Sequence, residues 1–162
     1  MKQKIRLQAL ARLMTCVMLA IALPSFAEDS PSDNTAQQSG QIETVNVVLK
    51  EWRINMDKQE VRAGPVTFQV NNRGDEKHEL VIVKTKLHHK ALPVNHGKVT
   101  EAAAGELIGE IEEFPSSEAR QATFTLTSGS YVLLCNMVEK EKDGVLESHY
   151  QEGMHVPFTV LR

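Results

Sequence analysis

From residue 42 onward the apolar residues alternate with polar ones or gather in short β-branched runs, and Gly, Pro, Asn or Ser interrupts them every 8 to 12 residues. A period of two turns one strand face to a core and the other to water, and evenly spaced breaks mark an all-β sandwich or barrel. The pattern predicts strands over 44–49, 52–56, 66–71, 79–84, 107–112, 121–126, 131–135 and 156–161. Ala63-Gly64-Pro65, Asn72-Arg73-Gly74 and Ser128-Gly129-Ser130 carry turn chemistry. Between Leu87 and Ala104 the pattern lapses into a long polar connection with room for a helical turn. Trp52 is expected in the core or beside a strand edge.

The N-terminus reads differently. Lys2, Lys4, Arg6 and Arg12 lead into an apolar stretch, which Pro24 and the small-residue site Ser25-Phe26-Ala27 close. This is the three-part layout of a cleaved export signal over residues 1–27, and the mature chain is expected to begin at Glu28 in the periplasm. The uncharged run 13–27 falls short of the roughly 20 residues that a bilayer span needs, so no stable membrane anchor is expected. Cys16 sits inside the apolar run rather than at its end, which disfavours a lipid anchor. Residues 28–41, EDSPSDNTAQQSGQ, hold no large apolar side chain and are predicted to be a flexible leader. The remaining 42–162 suffices for one core.

Export also changes the charge. The chain has 18 basic and 21 acidic groups, and four of the basic ones lie in the signal with no acid; this leaves 14 against 21, a net charge of −7. Such a surface repels phosphate backbones, so nucleic acid is not an expected partner. It also leaves Cys135 as the lone thiol of a chain bound for an oxidising compartment, where it cannot close an internal disulfide. Burial or a metal must protect it.

Four residues set the chemistry: His78 before a β run, Cys135 at the end of another, and His149 and Met154 before the last. Two imidazoles, a thiolate and a thioether are the ligand set of a mononuclear blue copper centre. Thiolate stabilises Cu(I), imidazole suits both oxidation states, and a rigid sandwich keeps reorganisation small. The chemistry is that of an electron carrier, with no constellation for a hydrolase.

Around these residues the chain resembles the cupredoxins, in particular small exported members of the plastocyanin and azurin type. Asn71-Asn72-Arg73-Gly74-Asp75-Glu76-Lys77-His78-Glu79-Leu80-Val81-Ile82-Val83 is similar to their Asn-rich turn, first copper His and following strand. Gly129-Ser130-Tyr131-Val132-Leu133-Leu134-Cys135-Asn136 is similar to the strand that ends in the copper Cys, and His149-Tyr-Gln-Glu-Gly153-Met154 to the closing His-x4-Met. The resemblance spans 42–162 and implies a Greek-key β-sandwich, one copper ion held by His78, Cys135, His149 and Met154, no enzymatic activity, and a protein redox partner of unknown identity. It also implies hydrogen bonds to the sulfur from Asn136 and from the Glu79 amide.

One departure is plain: thirteen residues, 136–148, separate the Cys from the second His, and they are rich in charge. Glu139, Glu147 or Glu152 offers an oxygen ligand in place of Met154, and His155 is a spare donor. Position 139 is Glu, which excludes the dinuclear copper domain with its second Cys four places on. Zinc is the poorer reading because it has no use for the thioether. Two alternatives stay open: copper storage or delivery, to which His88, His89 and His96 would contribute, and a copper site with an open position for a small molecule.

Overall fold

The computed structural model describes residues 41–140 and 144–162 of the 162-residue chain. The predicted signal lies outside these residues, as does the predicted leader apart from Gln41. The strands are β1 (Glu43–Lys50), β2 (Arg53–Met56), β3 (Glu60–Arg62), β4 (Gly64–Asn72), β5 (His78–Lys84), β6 (Val94–Asn95), β7 (Lys98–Val99), β8 (Glu106–Phe114), β9 (Ala119–Leu126), β10 (Gly129–Leu134), β11 (Val138–Lys140), β12 (Leu146–Ser148) and β13 (His155–Leu161). Two helical turns join them, α1 (Glu101–Ala104) and α2 (His149–Glu152).

Two sheets form a β-sandwich, one with strand order β2-β1-β4-β9, the other β3-β13-β10-β5-β8. The pairs β1–β4 and β3–β13 are parallel and the other pairs in these sheets antiparallel. Alternation fixes the inward faces: Val45, Val47 and Leu49 of β1 and Val66, Phe68 and Val70 of β4 are fully buried, and share one core with Leu80, Ile82, Leu133 and Phe158 of the second sheet. Full burial of each such side chain contributes about 1.5–3 kcal/mol.

The unbroken apolar runs 80–83 and 132–134 follow from a third layer. Leu80 and Ile82 face the sandwich core; Val81, Val83, Val132 and Leu134 face the other way, into a second cluster with Leu92, Val99, Ala104 and Tyr150. The polar connection after Leu87 thus covers the outer face of β5 and β10, using the β6–β7 hairpin and α1 as the expected helical turn. Strand β3 was not signalled by its sequence, because Val61 is its single apolar residue; it is held by parallel pairing of Val61 with Val160.

Candidate metal centre

Side-chain parity and strand direction build the centre. His78, Leu80 and Ile82 lie on one face of β5, and Tyr131, Leu133 and Cys135 continue one face of β10 and its extension. The two strands are antiparallel, so the start of one and the end of the other reach the same end of the sandwich. The Cys135 amide donates to the Met154 carbonyl at 3.0 Å, which carries the β10–β13 ladder one step further and sets Met154 beside the Cys. His149 arrives on α2, capped by the Ser148 side chain, which accepts from the Gln151 amide. Gly153 ends this turn at φ +126°, a backbone conformation that suits glycine, and the chain turns into Met154.

His78, Cys135, His149 and Met154 are each fully buried. Both imidazoles turn Nδ1 towards the thiol: Cys135 Sγ is 3.3 Å from His149 Nδ1 and 4.0 Å from His78 Nδ1, and the two Nδ1 atoms are 3.2 Å apart. Trp52 closes one side, its ring edge-on to His149 with centroids 5.1 Å apart. Behind the rings stand acids. His78 Nε2 is 3.0 Å from Glu51 Oε1, and His149 Nε2 is 3.5 Å from Glu76 Oε2.

Burial pushes the Cys135 thiol up to about 12, opposed by the amides of Glu79 and Met137 that donate to its sulfur. Burial, then the neighbouring His78, pushes His149 down to about 4, with Glu51 pulling the other way. Burial also lowers His78, again against the pull of Glu51. At neutral pH the cluster therefore holds a thiol and two neutral imidazoles. A cation bound to the sulfur supplies the positive charge that a buried thiolate lacks, and a donor set of thiol, two imidazoles and an adjacent thioether suits copper.

No protein-family model and no curated protein matches this sequence. Solved structures do. An auracyanin from the photosynthetic bacterium Roseiflexus castenholzii, 23% identical, aligns over 76% of this chain and 100% of its own, with a TM-score of 0.52. Auracyanin A of Chloroflexus aurantiacus, described as a "blue" copper protein, is 22% identical over 75% and 100%, with a TM-score of 0.54. Rusticyanin from Thiobacillus ferrooxidans is 14% identical over 76% and 79%, at 0.55. The chain has the cupredoxin fold.

Within the cupredoxin fold most of the expected residues meet, and a few expectations change. The Glu79 amide does reach the sulfur, but the second amide donor is Met137 rather than Asn136. Asn136 is engaged elsewhere: its amide donates to the Glu79 carboxylate at 3.0 Å, its Nδ2 to the Val99 carbonyl at 3.0 Å and Glu101 at 3.1 Å, and its Oδ1 accepts from the Val99 amide at 2.6 Å. It ties the outer layer to the centre. Of the carboxylates that offered an oxygen ligand, Glu152 on α2 is exposed, while Glu139 groups with Glu76 about His149. His155 faces away from Met154 and meets His89 instead.

Glu51 was missed, since an acid in the turn between β1 and β2 carries no sequence signal for a site. Its Oε1 accepts from the amides of Asp75 at 2.8 Å and Glu76 at 3.0 Å as well as meeting His78. Burial raises this carboxyl, but the amide of Glu76 and the other donors outweigh it and hold it below the ordinary carboxylate range. The one clue lay in Gly74: a Cβ there would collide with the Glu51 carboxylate where it now stands, so the close approach suits glycine. Asn72, fully buried, sets the same loop by accepting from the Gly74 amide and donating to the carbonyls of Glu76 and Phe114.

Proposed function

We propose that the chain is an exported copper-binding electron carrier, holding one copper through His78, Cys135 and His149 with the Met154 thioether as a weak fourth ligand. The observation that carries this reading is the convergence of two Nδ1 atoms on one buried sulfur from β5, β10 and α2. Copper, when bound, supplies a one-electron couple between Cu(I) and Cu(II). The protein's part is to hold the donors. Glu51 fixes the His78 ring, the amides of Glu79 and Met137 fix the sulfur and draw off its charge, and the packed sandwich resists any rearrangement between oxidation states.

The export signal in the sequence supports a periplasmic location. The mature net charge of −7 supports a basic protein as redox partner, with electron exchange that slows as ionic strength rises. Among the described residues no helix is long and apolar enough to cross a membrane.

The visible spectrum of the copper-loaded mature protein tests the ligation. An intense sulfur-to-copper charge-transfer band is expected. Repeated reduction and reoxidation against a Cu(I) chelator of known affinity tests the role: an electron carrier keeps its metal, whereas loss of most copper within a few cycles would make the protein a delivery protein.

A further inference from the structure

A second group of histidines lies on the outer layer. His89 Nδ1 and His155 Nδ1 are 2.8 Å apart, and the His88 ring, exposed to solvent, lies tilted by 34° with its centroid 4.6 Å from that of His89. His89 and His155 are half-buried. The sequence grouped His88 and His89 with His96, but His96 sits in the turn of the β6–β7 hairpin, and His155 takes its place.

Tyr150 makes this arrangement firm. Its hydroxyl donates to the His89 carbonyl at 2.9 Å and accepts from the Leu92 amide at 2.9 Å, while its ring packs on His155 at 4.9 Å. Both ends of the pair are thereby fixed, one through backbone and one through the ring. His155 follows Met154 directly, and successive side chains at the start of a strand point to opposite faces. The group is thus separated from the buried thiol by the body of β13.

We propose that His89 and His155, with His88 as a third donor, form a second copper site that binds Cu(II) through imidazole nitrogen alone. Imidazole donors suit borderline divalent ions, among which Cu(II) binds most tightly. At 2.8 Å the two Nδ1 atoms share a hydrogen bond, and a metal ion binding both takes the place of the shared proton, which leaves to solvent. Two nitrogens at about 2.0 Å from a metal and at right angles, the tetragonal preference of Cu(II), lie about 2.8 Å apart, so the exchange needs little movement of the rings. His88 is exposed, with its Nδ1 accepting from the Lys90 amide at 3.3 Å, and its Nε2 is the third donor.

The test uses the full mature chain, its first copper equivalent already in place, titrated with further Cu(II) under equilibrium dialysis and followed by electron paramagnetic resonance. A second equivalent is expected, with nitrogen hyperfine structure and no added charge-transfer absorption. His89→Ala and His155→Ala should each return the stoichiometry to one, His88→Ala should weaken the second equivalent, and His96→Ala should leave it unchanged. The charge-transfer band of the first centre reports whether each variant is folded. Absence of a second equivalent, or its survival in the His89→Ala/His155→Ala double variant, overturns the proposal. A second equivalent in a protein that lacks the band would overturn the function proposed above and leave this site standing.

Discussion

The molecule holds two imidazole pairs with nearly the same spacing, 3.2 Å between His78 and His149 and 2.8 Å between His89 and His155, in opposite surroundings. The first pair is fully buried, faces a thiol, and has carboxylates behind its outer nitrogens. The second is half-buried, faces another imidazole and rests on a tyrosine. Identical donors are thereby fitted to different work. Burial and sulfur suit the first pair to the retained, electron-carrying copper proposed above; exposure and nitrogen suit the second to the Cu(II) proposed for it.

The sharpest way to break this contrast is to remove the sulfur. Cys135→Ser should abolish the charge-transfer band altogether and leave a folded sandwich, turning the buried site into a nitrogen and oxygen centre with the spectral character of the outer one. Retention of the band would end the assignment of Cys135 as ligand.

Titration of the metal-free protein separates the pairs next. His149 is pushed down from 6.5 to about 4 by burial and then His78. Between those values the unfolded chain binds a proton that the folded one refuses, so stability falls as pH drops from about 6.5 towards 4, by roughly 3 kcal/mol at most. Cys135 works at the other end: raised from 9.0 to about 12, it keeps its proton when folded, so stability falls as pH rises above 9. Thermal melts should show a plateau between about 6.5 and 9, and bound copper should lift both edges.

A smaller effect is expected at Glu51. Glu51→Gln keeps an acceptor for the Asp75 and Glu76 amides but removes the charge behind His78, which should weaken copper binding by roughly 10–100-fold and raise the reduction potential. Gly74→Ala, whose Cβ would displace the same carboxylate, should copy it. Competition with a copper chelator and potentiometry measure both. Smallest of all is Met154→Gln, which should keep the metal and lower the potential. If a potential shift follows Glu139, Glu147 or Glu152 substitution instead, a carboxylate is the fourth ligand.

What was legible in the sequence was what strand parity carries. His78 and Cys135 end up side by side because each continues a period-two face of an antiparallel pair, and both faces can be counted off the chain. Position 149 was legible through its His-x4-Met spacing to Met154 and not through strand parity, since thirteen residues of charged loop hide its path back. Glu51 was not legible: it lies 27 residues from His78, and only the fold brings the two within 3.0 Å. The outer layer was hidden for a related reason. Its Leu92, Val99, Ala104 and Tyr150 are scattered through polar sequence, and each is buried by a partner on another element.

That charged loop has a closed base. The His149 amide donates to the Met137 carbonyl at 3.1 Å, and β11 and β12 pair Val138 with Ser148, Glu139 with Glu147 and Lys140 with Leu146. Ser148 Oγ also donates to the Gly97 carbonyl, pinning the base to the β6–β7 turn. The contour of the loop is thereby uncoupled from its span: three residues from Cys135 to Met137 and six from His149 to Met154 border the centre, Glu139 of β11 reaches towards His149, and the β11–β12 ladder closes the loop behind them. Lengthening such a loop is cheap, since each doubling of a loop costs only about 0.6 kcal/mol in closure entropy. An insertion made beyond the Lys140–Leu146 rung is therefore expected to leave the ladder, and with it the positions of Cys135 and His149, unchanged.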